Sequence, residues 1–223
     1  MTGTTVDTAL PSDLLLRVVD RPLTGADIAE IGALVEWAGL VEPGDGIAGR
    51  LVAEVGAVDA LRLARAVRAD PAVLGRAGIS GPQWRAALAR WRPRMGAGTA
   101  AGALQTAVRA GVRLLVRGDE RWPTALDDLG DHAPLTLWVR GDPAALTRQP
   151  HAVALVGARA ATGYGEHIAR ELGAELAAQG IAVVSGAAYG IDGFAHRGAL
   201  GVGGTTIGFL AGGVERAYPT GHA

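Results

Sequence analysis

Two glycine turns in the C-terminal half carry the groups best suited to chemistry on an anion. The first is Gly157-Ala158-Arg159, followed by Thr162, Gly163, Tyr164 and Gly165. The second is Ser185-Gly186-Ala187-Ala188-Tyr189-Gly190-Ile191-Asp192. A glycine turn that opens a helix offers backbone N–H groups and the positive end of the helix dipole, which together suit a phosphate. Arg159 adds a bidentate guanidinium. Ser185 has a hydroxyl hydrogen to donate, and Gly186 and Gly190 allow a tight cradle of N–H groups. The expected phosphate contacts are therefore Gly157, Arg159, Ser185, Gly186 and Gly190. Tyr164 and Tyr189 are candidates for stacking on a base or for packing. The charge of Asp192 would repel a phosphate, so its expected role is to cap the helix or to orient Arg159.

The same residues exclude several alternatives. The first turn lacks the G-x-G-x-x-G spacing of a dinucleotide site, and Ser185 stands where an acidic residue would end the second strand. All 21 basic residues are arginine, so a Walker-type phosphate loop, which needs a lysine, is absent. A nucleophile at Ser185 would have only Asp192 and His196 as partners. These lie four apart on a helix that leaves the turn, unlike a nucleophile elbow. His196 is expected to pack rather than catalyse. No catalytic residue, metal site or cofactor is expected. The site reads as one that holds an anion without transforming it.

The elements that position these turns follow from periodicity. Residues 151–156 form a short apolar run that suits a strand buried on both faces. A helical pattern covers residues 165–179 and stops at Gly180. Residues 181–184 are a second buried strand, helix resumes near Ile191, and residues 205–210 are a third strand. This is one βαβαβ unit, and its ligand belongs at the carboxyl ends of the strands, where both turns fall. The fold class is α/β, a partial Rossmann-like parallel sheet behind a small all-helical domain.

The expected division is a helical domain over residues 1–105, of the SAM or helix-hairpin-helix kind, and a Rossmann-like domain over residues 106–223. In the first, Thr24 caps a helix with Ile28, Ile31, Leu34, Val35 and Ala38 on one face. Helical patterns follow at 47–54 and 58–68, separated by Gly56, then at 84–91 and at 99–110 with Gly111 as the stop. Arg85, Arg90, Arg92 and Arg94 interleave with Trp84 and Trp91. That pattern allows base stacking, but two tryptophans seven apart share one helix face and favour the core. Residues 112–116 and 135–139 are β-prone and are expected to extend the α/β sheet.

Composition bounds the rest. The 223 residues carry a net charge of −1, so any anion site must be local rather than a global field. There is no cysteine, which removes disulfides and thiolate metal sites. No apolar run approaches the ~18 residues of a membrane span. Residues 1–5 lack the basic-then-apolar layout of a signal peptide. The expected location is cytoplasmic.

Several ungapped blocks resemble the DNA-processing protein A family (DprA, also called Smf). They are Val153-Ala-Leu-Val-Gly-Ala-Arg, Tyr164-Gly, Val184-Ser-Gly-Ala-Ala-Tyr-Gly-Ile-Asp, Ala195-His-Arg-Gly-Ala-Leu, Gly204-Thr-Thr-Ile and Ala217-Tyr-Pro. Upstream, Gly118-Asp-Glu-Arg-Trp-Pro, Leu126-Asp-Asp-Leu and Trp138-Val-Arg-Gly resemble the segment before that family's Rossmann core, and Val41-Glu-Pro-Gly-Asp resembles actinobacterial members. The resemblance implies a non-enzymatic protein that binds and protects single-stranded DNA and helps load the RecA recombinase during natural transformation. It implies that Gly157, Arg159, Ser185, Gly186 and Gly190 line the DNA phosphate pocket. Tyr189 stands where the family often has arginine, which weakens the local charge but offers a ring for a base.

The family continues beyond Tyr218-Pro219 with more strands, a second arginine-bearing motif and a dimer surface. This chain stops at Ala223, so the resemblance implies a fragment or a truncated product. Without those strands, residues 151–156 are expected to form an exposed apolar edge that promotes association. Two other classes remain open: a nucleotide-binding enzyme or sensor of the nucleotide N-glycosidase kind on a related scaffold, and a degenerate protein with contact functions only.

Overall fold

The computed structural model describes residues 11–219 apart from Val67, Ala97, Gln149 and Ala217. Residues 1–5, Ala217 of the Ala-Tyr-Pro block and the terminal Ala223 lie outside the described residues. The chain packs as two compact units. One holds the residues up to Asp119 together with Thr124–Leu137, and the other holds Glu120–Pro123 and the residues from Trp138 on.

The first unit is built from helices α1 (Ser12–Val18), α2 (Gly25–Leu40), α3 (Gly46–Arg65), α4 (Pro71–Arg76), α5 (Gly81–Trp91) and α6 (Thr99–Ala110). Thr24 starts α2 with a capping box. Its hydroxyl accepts from Asp27 N, and the Asp27 carboxylate accepts from Thr24 N. The Thr24 hydroxyl and N–H, then Arg21, draw the Asp27 carboxyl down from 3.8 to about 2. Gly56 takes φ 78° and bends α3 where the sequence pattern breaks. The amides of Ala57 and Val58, freed by that bend, donate to the Glu30 carboxylate. Gly111 closes α6 in the left-handed conformation with φ 64°.

Tryptophans organise the core of this unit. Trp37 and Trp91 meet edge to face at 5.1 Å, and Trp84 meets Trp91 at 5.7 Å. All three are buried, and Trp37 Nε1 donates to Ala57 O at 3.1 Å. Trp84 and Trp91 are therefore core residues and present no ring to a base.

Strands β1 (Arg113–Val116) and β2 (Thr136–Val139) form a two-stranded sheet of their own. The expectation that they extend the parallel sheet is corrected. Leu114, Leu115 and Val116 are buried, and Arg113 donates to the carbonyl of Arg17 in α1 at 3.1 Å. β1 is thereby anchored against the helices of the first unit.

The second unit contains α7 (Ala145–Arg148), β3 (Ala152–Ala154), α8 (Gly163–Ala178), β4 (Ala182–Ser185), α9 (Ile191–Gly201) and β5 (Thr206–Gly208). The three strands are parallel in the order β3-β4-β5, with Val153 opposite Val183 and Val184 opposite Ile207. This is the expected βαβαβ unit. Helices α8 and α9 both pack on β4 and on each other, so they share one face of the sheet. Their backbones nearly touch: a Cβ on Gly173 would lie 2.3 Å from Ala195 O, and one on Gly198 would lie 2.1 Å from Arg170 O. Ala177, Val183, Ala195 and Ala199 form the small core beneath them.

β3 departs from the expectation of a strand buried on both faces. All three of its residues are exposed, with Val153 at 37% and Val156 just beyond it at 70%. Among the described residues the strand has a single hydrogen-bonded neighbour, β4, and stands at the edge of the sheet.

Candidate functional site

The crest of the parallel sheet brings the two glycine turns together. Asp192, 6% exposed, sits between them. Its Oδ1 accepts from Gly157 N in the first turn and its Oδ2 accepts from Ala188 N in the second, both at 3.3 Å. Ile191 N donates to Ala158 O at 3.2 Å. Asp192 thus ties turn to turn, rather than capping α9 or pairing with Arg159.

The glycines owe their identity to this close packing. A Cβ on Gly157 would meet Ile191 Cγ1 at 2.7 Å, and one on Gly190 would meet Ala158 O at 2.2 Å. Gly190 also takes φ 76° and ψ −132°, a conformation that side chains disfavour. Gly186 leaves 3.2 Å to Asp192 Oδ2. Ala187 adopts φ 56° without being glycine, a local strain of the kind that clusters at functional sites. Ile191 is the residue that sequence reasoning passed over. It is an ordinary apolar helix-start residue in the chain, and only its position over Gly157 and Gly165 reveals it as the wedge between the turns.

Ser185 and Arg159 are placed in opposite ways. The Ser185 side chain is buried, and its hydroxyl donates to Leu155 O at 2.6 Å, which links β4 to the end of the edge strand. Its donor is spent inside the sheet. Gly157 has likewise given its N–H to Asp192. Arg159 is exposed and has no hydrogen bond or ion pair among the described residues. Ala158, Arg159 and Ala160 are exposed residues, and their N–H groups also lack a partner among the described residues. Tyr164 and Tyr189, on the helix start and the second turn, are 77% and 49% exposed. The first turn therefore presents one guanidinium and a row of amides, flanked by two rings. His196 packs inside the unit, its Nδ1 2.6 Å from Thr206 Oγ1, whose own hydrogen goes to Val183 O.

The helical unit holds a cavity of about 680 Å³ beside the Val41–Gly46 loop, lined in part by Arg50, Arg90, Arg94, Trp91 and His132. Each arginine there faces a carboxylate: Arg50 meets Asp131 at 3.8 Å, Arg90 meets Asp45 at 2.9 Å, and Arg94 pairs with Glu42. Burial pushes the Asp45 carboxyl up, but hydrogen bonds from Arg90, Trp91 and Ala48 outweigh it and hold it below the ordinary 3.8. The arginine patch of α5 is thus half neutralised, and the cavity has no excess of positive charge for an anion. Among the described residues no helix is long and apolar enough to cross a membrane, and no three His, Cys, Asp or Glu side chains gather as a metal site.

Comparisons with known proteins place residues 113–223 in a family. The family profile described as DNA recombination-mediator protein A matches residues 113–223. The chain is 48% identical over 135 residues to a putative DNA processing protein DprA of Mycobacterium tuberculosis (strain H37Rv), which covers 56% of this chain and 34% of that protein. It is 33% identical over 109 residues to DNA processing protein DprA of Bacillus subtilis (strain 168), covering 49% of this chain and 36% of that one. It is 38% identical over 110 residues to protein Smf of Escherichia coli (strain K12), covering 49% and 29%. The chain spans about a third of the length of these curated relatives. A solved structure, DNA processing protein A (DprA) from Streptococcus pneumoniae, superposes with a TM-score of 0.55 at 22% identity, over 90% of this chain and 62% of that one. That likeness establishes the shared fold. Over residues 113–223, the chain belongs to the DNA recombination-mediator protein A family, the family of DprA and Smf.

Proposed function

We propose that the crest binds the sugar-phosphate backbone of single-stranded DNA and holds it without transforming it. The observation that supports this reading is the first turn. Arg159, exposed and with no carboxylate partner among the described residues, belongs to an exposed turn whose amides are unengaged, at the carboxyl edge of a parallel sheet. Arg159 and the amides of Ala158 to Ala160 would take the phosphates. Tyr164 and Tyr189 would accept unpaired bases by stacking, which tolerates any sequence. Gly157, Gly186, Gly190 and Asp192 shape the crest, and Ser185 stiffens the strand beneath it. The names of the relatives are consistent with a role in DNA processing during recombination. On this reading RecA recombinase is the partner that receives the strand, and the protein acts in the cytoplasm.

Binding would rest on backbone contacts, so affinity should fall with salt and differ little between sequences. Arg159→Ala tests it in a fluorescence anisotropy titration with oligo-dT and a mixed-sequence strand. Both should weaken alike, and the slope of log affinity against log salt should shrink by about 0.7, the value for one lost single-strand phosphate contact. Unchanged affinity would place the strand elsewhere.

A further inference from the structure

Below the crest, α8 and α9 carry a second basic feature that the turns do not explain. Arg170 of α8 and Arg197 of α9 both lie over the ring of Phe194, at 5.2 Å and 4.2 Å from its centroid. Arg197 belongs to the Ala-His-Arg-Gly block. The pair is possible because Gly173 and Gly198 let the two helix backbones come together. Both arginines are exposed, and neither forms an ion pair among the described residues. Glu166 stands one turn before Arg170 but makes no ion pair with it, and Glu171 lies near His167 instead. The two guanidiniums therefore share one ring and lie no more than about 9.4 Å apart, with no carboxylate paired to either among the described residues. Two unpaired cations on one surface, within the span of neighbouring phosphates, favour a polyanion laid across them.

We propose that Arg170, Phe194 and Arg197 form a second phosphate station, which extends the path of a single strand from the crest down the α8–α9 face. This rests on the reading of the crest as a single-strand site. Arg170 is seven residues into α8 and Arg197 six residues into α9, so both lie about 10 Å below the helix starts. A stacked strand covers that distance in about three nucleotides at its ~3.4 Å rise. Phe194 keeps both guanidiniums in fixed positions by cation–π contact, so less side-chain freedom is lost when phosphate binds. The station reads no base and serves any sequence.

Strand length separates the station from the crest. Two oligo-dT probes, of about two and about sixteen nucleotides, fall short of that distance and extend well beyond it. In anisotropy titrations, Arg170→Gln/Arg197→Gln should weaken the long probe and reduce its salt slope by about 1.4, two contacts' worth, while the short probe is unaffected. Arg170→Lys/Arg197→Lys should restore the slope. Phe194→Leu should weaken the long probe with the slope kept, because the charges remain but are no longer held. Circular dichroism checks that each variant is folded. If the double glutamine variant binds the long probe as the parent does while Arg159→Ala still weakens both, the station is wrong and the crest stands. If Arg159→Ala also changes nothing, the crest reading fails and takes the station with it. If the double variant instead loses only a poly-glutamate peptide, the pair serves an acidic protein partner and the proposal is overturned.

Discussion

A methyl group on Gly190 would lie 2.2 Å from the carbonyl oxygen of Ala158. The second turn is thus laid directly on the first, against the backbone of Ala158 and Arg159. Gly190→Ala meets both that collision and a φ of 76°, a strain of about 1–3 kcal/mol from conformation alone. The variant should melt at lower temperature and bind oligo-dT weakly with Arg159 intact. A variant with native affinity would show that turn-to-turn contact does not set the site.

Asp192 offers a test in which charge and geometry predict opposite signs. By charge alone, removing a carboxylate from a phosphate site should raise affinity. By geometry, Asp192→Ala frees the Gly157 and Ala188 amides from their shared acceptor and should lower both affinity and stability. Gly157 is exposed and Ala188 half-buried, so water takes up part of the loss and the cost stays below the about 1–3 kcal/mol of a buried unpaired donor. We expect lower affinity for oligo-dT and an earlier urea midpoint. Tighter binding would assign Asp192 a purely electrostatic role.

The helical unit should be acid-sensitive through Asp45. Its folded pKa lies below 3.8, so its stabilisation is fully present above the unfolded value and is lost as pH falls through 3.8 toward the depressed folded value. Asp45 caps α3 through Ile47 N and Ala48 N and also accepts from Arg90 and Trp91. Asp45→Asn should lower the melting temperature at neutral pH and flatten its fall on acidification. Parallel acid profiles for parent and variant would remove Asp45 from the account.

The edge strand predicts self-association. Among the described residues β3 has one neighbour, and Val153 and Val156 are exposed on and beside it, with no charged residue in the strand to discourage pairing. Sedimentation velocity should show the average mass rising with concentration, and Val153→Lys should suppress that rise. A monomer at all concentrations would indicate that the edge is inert.

A competition experiment separates the single-strand reading from a small-nucleotide site. Nucleoside monophosphate in large excess should displace oligo-dT poorly, because a strand engages several contacts along its backbone. Displacement at comparable concentrations would favour a mononucleotide pocket.

Local structure was largely legible in the chain. Thr24 marks the start of α2, Gly56 the bend of α3, and Gly111 the end of α6, because capping and positive φ are properties of a few neighbouring residues. The βαβαβ order and the position of both turns follow from apolar periodicity in the same way. Tertiary structure decided what each turn residue does. Gly157 is bare because Ile191, 34 positions on, lies over it, and the Ser185 hydroxyl is spent on Leu155, 30 positions back. It also decided that β1 and β2 leave the parallel sheet, since which strands become neighbours depends on how the whole chain packs. Spacing names the residues at a turn; only contacts between distant segments determine which of them still have a donor to offer.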